Sequence, residues 1–293
     1  MRRIVAVLAL CAVLLVGCGT AGNGPAAPRD RTFEDRATQV VNAWREAATR
    51  AGYGQGLRLL DSPTVPPASG FPNDDLAREY ATGAYRLQAT LPADVPPPGT
   101  VRRSDGTTMS VPLVSATEAF TAVHSGQPCG GCLTVTGATL GTTSVRTNSG
   151  AATVPAWLFT VAELKDPVAR VAIAPAGLAP LPAPSPPAAP DALHLAQVVA
   201  VAPQQPTADP AGLTGLTVSL GVGGCDKGPQ PRVYETPEAV VVGGLRAVPS
   251  AGTICTDQLV VTPVPVTLSA PLGYRVLLSA ASGEPVPLGL TVH

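Results

Sequence analysis

Two cysteines three positions apart have the most direct chemical reading in this chain. Cys129-Gly130-Gly131-Cys132 has the C-x-x-C spacing of thiol–disulfide oxidoreductases. In those enzymes the first thiolate attacks a disulfide and is activated at a helix N-terminus. The neighbouring residues point instead to a structural disulfide. Leu133-Thr134-Val135-Thr136-Gly137 alternates β-branched residues and reads as a strand, and the paired glycines suit a tight turn. A metal site built on His124 lacks partners, because the chain has 3 histidines and no second C-x-x-C or H-x-x-x-H. The expectation is therefore no cofactor and no metal. Redox chemistry at Cys129 and Cys132 is the alternative to a structural role.

The other cysteines are read through their compartment. Arg2 and Arg3 form a basic start, Ile4 to Val16 is apolar, and Leu15-Val16-Gly17-Cys18 follows. The apolar run is too short to span a bilayer core of about 30 Å. The Leu-Val-Gly-Cys string resembles the bacterial lipobox. That resemblance implies a diacylglycerol thioether on Cys18, cleavage before it and acylation of the new amino group. Two or more acyl chains give lasting membrane attachment. Residues 1–17 are then a lipoprotein signal peptide, and 18–31, rich in Gly, Ala and Pro, are a flexible tether. Cys11 leaves with the signal, so four cysteines remain in an oxidising compartment: Cys129, Cys132, Cys225 and Cys255. Three pairings are open. The most natural is Cys129–Cys132 with Cys225–Cys255, each within one half of the chain. Closing a loop of about 30 residues stabilises by roughly 3–4 kcal/mol, against about 2 kcal/mol for the four-residue loop.

Charge narrows the partners. The formal net charge is −1, and removing Arg2 and Arg3 leaves 17 basic against 20 acidic residues. No basic stripe for nucleic acid exists, nor a polybasic cluster for anionic lipid. The expected partners are the membrane, through the lipid, and an envelope protein or polymer. Lysines are limited to Lys165 and Lys227. With abundant Ala, Gly, Pro and Val, this fits a GC-rich coding bias of an actinobacterial kind.

No other enzymatic motif is present: no G-x-S-x-G, no G-x-x-x-x-G-K and no H-E-x-x-H. Glu118, Asp226, Glu235 and Glu238 read first as turn and cap charges. They gain an envelope-hydrolase reading only if the fold brings carboxylates together in a cleft.

The elements that position these residues are mostly strands. Thr32-Phe33-Glu34-Asp35 reads as a capping box. Phe33, Ala37, Val40, Val41, Trp44 and Ala48 then recur at helical spacing until Gly52, giving an amphipathic helix anchored by Trp44. Asp74 to Thr82 reads as a short helical turn, and Ser115-x-x-Glu118 starts another helix. From Ala84 the period changes to two. Asp105-Gly106 marks a hairpin. Strands are expected at 132–139, 142–147, 153–162 and 168–174, with Gly141 as a turn. In Val154-Pro155-Ala156-Trp157-Leu158-Phe159-Thr160 both faces are apolar, the pattern of a doubly covered strand.

Six prolines between Leu178 and Asp191 exclude sheet and favour polyproline II. Further strands are expected at 194–202, 213–222, 231–235, 239–245, 254–261, 264–269 and 274–279. The predicted fold class is mainly β, with β-sandwich-like modules, an N-terminal amphipathic helix and disulfide staples. The predicted domains are 32–177, a helix plus a first strand-rich domain, and 192–293, a second strand-rich domain. Residues 178–191 are the linker.

A resemblance spans about half the chain. It rests on Cys129 to Ala174, with the Cys-Gly-Gly-Cys and Val-Pro-Ala-Trp-Leu-Phe-Thr strings, and on Ala239 to Gly244 and Val266 to Gly273. These stretches are similar to lipoproteins of unknown function from streptomycetes and related actinobacteria. The resemblance implies a lipid-anchored protein on the outer face of the cell membrane and transfers no functional residue. The function expected is a non-catalytic binding or envelope-structural module.

Overall fold

Alternating Val, Ala, Leu and Thr run through most of the chain, and such runs fold as strands where one face can be buried. A computed structural model describes residues 28–126, 131–205, 207, 209–250 and 252–289. In chain order the elements are α1 (Pro28–Arg50), β1 (Thr64–Val65), α2 (Asp74–Ala81), β2 (Tyr85–Leu87), β3 (Gly99–Arg103), β4 (Thr108–Val111) and α3 (Ala116–Thr121). Next come β5 (Leu133–Thr147), β6 (Gly150–Val161), β7 (Val168–Val171), β8 (Gln197–Pro203), β9 (Gly215–Gly223), β10 (Lys227–Glu235), β11 (Ala239–Ala247), β12 (Leu259–Thr267) and β13 (Val276–Ser279). Strands take 39% and helices 17%, so the mainly β class holds. No helix among the described residues is long and apolar enough to cross a membrane.

The first sheet is organised by the β5–β6 hairpin, paired from Val135↔Val161 to Thr147↔Gly150. Gly141 does not turn the chain as its residue type suggests. It lies mid-strand opposite Ala156, where a Cβ would come within 2.7 Å of Leu158 Cδ1. β2 joins β5 in parallel. The other edge of β6 is shared: β7 pairs with Ala156 to Phe159, and β3 pairs with Ala152 and Thr153. Pro155 falls in the gap between them. Its carbonyl accepts from Ala172 N–H at 2.9 Å, so its missing N–H also faces the gap and takes nothing from the ladder. β1 extends the sheet beyond β7, and β4 beyond β3. Trp157, Phe159 and Val161 enter the core, and Trp157 Nε1–H donates to Val114 O at 2.9 Å. On the opposite face burial fades from Ala156 through half-buried Leu158 to exposed Thr160, so the strand is only partly doubly covered.

The second half is a sandwich with a helix on top. β8, β9 and β12 form one antiparallel sheet; β10, β11 and β13 form the other, with β11 and β13 parallel. The expected strands 254–261 and 264–269 merge into one strand, β12, over Leu259–Thr267, while residues 254–258 are irregular. Pro263 and Pro265 do not break it, because it lies at an edge where a missing N–H is harmless. β11 is the doubly covered strand of this protein. Val240 and Val242 pack against Val218 and Leu220 of the facing sheet. Ala239 and Val241 pack against Phe33, Val40, Val41 and Trp44 of α1. The helix that the sequence groups with residues 32–177 therefore covers the sheet of the C-terminal half.

Helix α1 begins at Pro28, ahead of Thr32, so Thr32 lies inside the helix and is not its cap. Proline fits a first helical position because its absent N–H would be unpaired there anyway. The helix stops at Gly52, whose φ of +55° is the left-handed conformation that glycine adopts without strain. Tyr53 N–H returns to Ala48 O at 2.9 Å, and the Tyr53 ring meets Trp44 edge-on at 5.2 Å.

β11 ends its valine run in Gly243-Gly244 because both faces are filled. A Cβ on Gly243 would lie 2.8 Å from Ala280 Cβ and 3.2 Å from the Phe33 ring. Neither neighbour can rotate away, since both are buried. Gly243→Ala is expected to destabilise by about 1–3 kcal/mol through overpacking. Gly228→Ala, where nothing lies within 4 Å, is expected to change stability by less than about 0.5 kcal/mol. Urea unfolding of the two variants checks the contrast.

Candidate functional site

Cys18 and Cys129 lie outside the described residues. Cys132 is disulfide-bonded, and β5 starts at the next residue, as the alternation of Leu133 to Gly137 predicts. Cys225 and Cys255 form the expected disulfide, with Cα atoms 5.6 Å apart, joining the turn after β9 to the segment before β12.

The four carboxylates do not converge. Glu118 N–H takes the Ser115 Oγ cap at 3.2 Å, and its side chain is exposed. Asp226 accepts from Arg246 at 2.8 Å. Glu235 pairs with Arg275 at 2.7 Å. Glu238 accepts from Arg45 Nε on α1 at 2.6 Å. Among the described residues no group of three or more His, Cys, Asp or Glu could hold a metal. An acid–base pair in a cleft is not among these contacts.

A different set of residues does converge. Asn73 caps α2 by accepting from Leu76 N–H at 3.0 Å, which fixes where Tyr80 falls on the helix. Beyond α3, Ser125 N–H and Oγ–H both donate to Gly83 O, at 2.9 and 3.1 Å. That tie brings the end of α3 against the end of α2. Tyr80, Tyr85, His124, Ser62 and Thr64 then line a polar cleft of about 280 Å³. Tyr80 and Tyr85 are 2% and 4% exposed, and His124 stacks on Phe120 at 5.4 Å. Neither phenol oxygen, nor His124 Nδ1, has a protein hydrogen-bond partner. Of the five such buried atoms among the described residues, three line this one cleft. Burial pushes both phenols well up from their usual range, so they are neutral donors at physiological pH. A buried unpaired hydroxyl ordinarily costs about 1–3 kcal/mol.

An apolar groove of about 540 Å³ adjoins the cleft, lined by Leu59, Val114, Ile173, Leu178 and Leu181 among others. Ala122 lines both cavities, and Pro63 faces the groove while its neighbours Ser62 and Thr64 face the cleft. Arg170, on β7, lines the groove and donates to Thr64 Oγ1 at 2.7 Å. It pairs with no carboxylate among the described residues, and burial lowers its pKa.

The wall shared by these cavities, residues 57–65, is held by a buried ion pair. Arg146, near the end of β5 and 1% exposed, donates to Asp61 Oδ1 from Nε at 2.8 Å and to Oδ2 from its backbone N–H at 2.7 Å. Arg146 Nη1 also reaches Gly273 O and Arg275 O, each at 3.2 Å. Burial pushes the Asp61 carboxyl up, and the contacts from Arg146 oppose that rise. Arg275 continues the network, donating to Glu235 and to the carbonyls of Ala270, Pro271 and Leu272. Burial also raises Glu235, but the Ser269 N–H and Arg275 together outweigh it and hold the carboxyl below its usual range.

Sequence reasoning separated these cleft residues. Tyr80 falls within the helical turn of Asp74 to Thr82, Tyr85 in the stretch of period two from Ala84, and His124 has only a metal reading that lacks partners. Local periodicity carries no signal for their meeting, which depends on long-range ties. Arg146, Arg170 and Arg275 look the same in sequence as surface arginines.

Asp61→Ala leaves the Arg146 charge buried without its counter-ion and is expected to cost about 3–5 kcal/mol in urea unfolding. Glu235 loses its proton more readily in the fold than in the unfolded chain. It therefore stabilises the fold above the ordinary glutamate range of about 4, and that contribution is lost as pH falls through its lower folded value. Melting curves of wild type and Glu235→Gln are expected to differ at pH 7 and to approach one another as pH falls below about 4. Comparison with protein-family models, with curated proteins and with solved structures finds no match to this chain.

Proposed function

We propose that this chain is a lipid-anchored, non-catalytic binding module on the outer face of the cell membrane. The anchor rests on Leu15-Val16-Gly17-Cys18 behind a basic start and a short apolar run. The binding role rests on one observation: two buried phenols and an imidazole nitrogen without protein partners line one cleft. Native folds rarely leave such groups unpaired without a use. The absence of catalysis is supported by the fate of the charged groups. Asp61, Asp226, Glu235 and Glu238 are each engaged by an arginine, and none of these contacts joins two carboxylates as an acid–base pair.

A thiol–disulfide oxidoreductase is less well supported. The residue after Cys132 opens a strand, so no helix N-terminus follows the pair to activate a thiolate.

Two measurements test the proposal. Metabolic labelling with palmitate is expected to mark the wild-type chain and not Cys18→Ala, and the variant is expected to move to the soluble fraction. An unlabelled wild type would remove the anchor. In insulin reduction, wild type and Cys129→Ser are expected to show the same background rate. A rate that falls with Cys129→Ser would replace the binding role with redox catalysis.

A further inference from the structure

The polar cleft and the apolar groove complement one another. Tyr80 and Tyr85, whose buried hydroxyls have no protein partner, stand in the wall of the cleft; the groove beside it presents Leu59, Val114, Ile173, Leu178 and Leu181. Arg170 stands where they adjoin, reaching Thr64 on the cleft side while lining the groove. Ala122, an exposed residue with a one-carbon side chain, lines both cavities where they adjoin. Among the described residues no other Lys or Arg lines either cavity, so the charge available there matches a single negative charge and not a phosphate dianion. Glu118, exposed at the rim of the groove, disfavours a second anionic group there.

We propose that the two cavities form one site for an amphiphile with a single carboxylate head. The head takes the hydroxyls of Tyr80 and Tyr85 and the guanidinium of Arg170, and the alkyl chain crosses Ala122 into the groove. A carboxylate has two oxygens and about four acceptor positions, enough for three converging donors. The alkyl chain supplies the apolar area whose removal from water makes binding favourable. The site would deepen the binding reading given above by naming its ligand class. It does not depend on the anchor, so loss of lipidation at Cys18 would leave this inference standing.

The test is calorimetric titration of the chain from residue 18 onward carrying Cys18→Ala, which needs no detergent. The probes are dodecanoate below its micellar concentration, hexanoate and dodecyltrimethylammonium. Saturable one-to-one binding of dodecanoate is expected, with hexanoate and the cationic probe at least about tenfold weaker. The Tyr80→Phe/Tyr85→Phe double variant and Arg170→Gln are each expected to weaken dodecanoate by about tenfold or more. Ala122→Trp, which places an indole where the cavities adjoin, is expected to abolish binding. The double variant removes unpaired hydroxyls and keeps the rings, so its unliganded melting temperature is expected to hold or rise, separating lost binding from lost fold. Absence of saturable dodecanoate binding to folded protein, equal affinity across the variants, or equal affinity for the cationic probe would each overturn the proposal.

Discussion

The Asp61–Arg146 pair is the contact on which the arrangement of the two halves depends. Removing both charges from water is costly, and a buried pair of this kind contributes little net stability by itself. What it fixes is position. Arg146 belongs to β5, Asp61 to the wall of both cavities, and the two carbonyls that Arg146 also holds, Gly273 and Arg275, belong to the C-terminal sandwich. One guanidinium thus ties three distant stretches. Backbone ties run alongside it: Leu60 N–H to Arg146 O, and Ser62 N–H and Leu288 N–H to the Leu288 and Leu60 carbonyls.

The same device recurs because of composition. The chain has 33 prolines, each with a carbonyl acceptor and no N–H. Loops built this way carry more acceptors than donors, and arginine brings five donors in a fixed fork. Arg36 donates to the carbonyls of Pro187, Ala280 and Ala281. Arg58 donates to those of Pro180 and Ala51. Together they pin both ends of the proline-rich stretch 178–191 to the folded body, with Pro186 packed where a Cβ on Gly283 would stand 2.4 Å away. That stretch supplies Leu178 and Leu181 to the groove, so the arginine ties shape the candidate site directly.

Much of the local structure was legible in the sequence. The helical spacing from Phe33 to Ala48, the Ser115 cap and most strand positions follow from periodicity and capping chemistry, which act within a few residues. Errors came where tertiary context overrode a residue's local preference. Gly141 and Pro263 read as breaks, yet each sits in a strand at a place where its peculiarity is harmless or required. The packing of α1 on β11 was not legible, because an apolar stripe specifies a partner face without naming its owner. The cleft was the least legible feature. Its phenols and imidazole come from two loop–helix junctions joined through Gly83 and Ser125, and no sequence pattern records that tie.

The cleft and the groove, lined together by residues from Leu59 to Leu181, can bind as one site only if their walls are held as one body. Arginine–carbonyl ties that join the first sheet to the helix-capped sandwich supply that rigidity. Differential scanning calorimetry of the unlipidated chain tests this most directly. One transition, with calorimetric and van't Hoff enthalpies in a ratio of about 1, is the predicted result. Two separate transitions, one for each half, would contradict it.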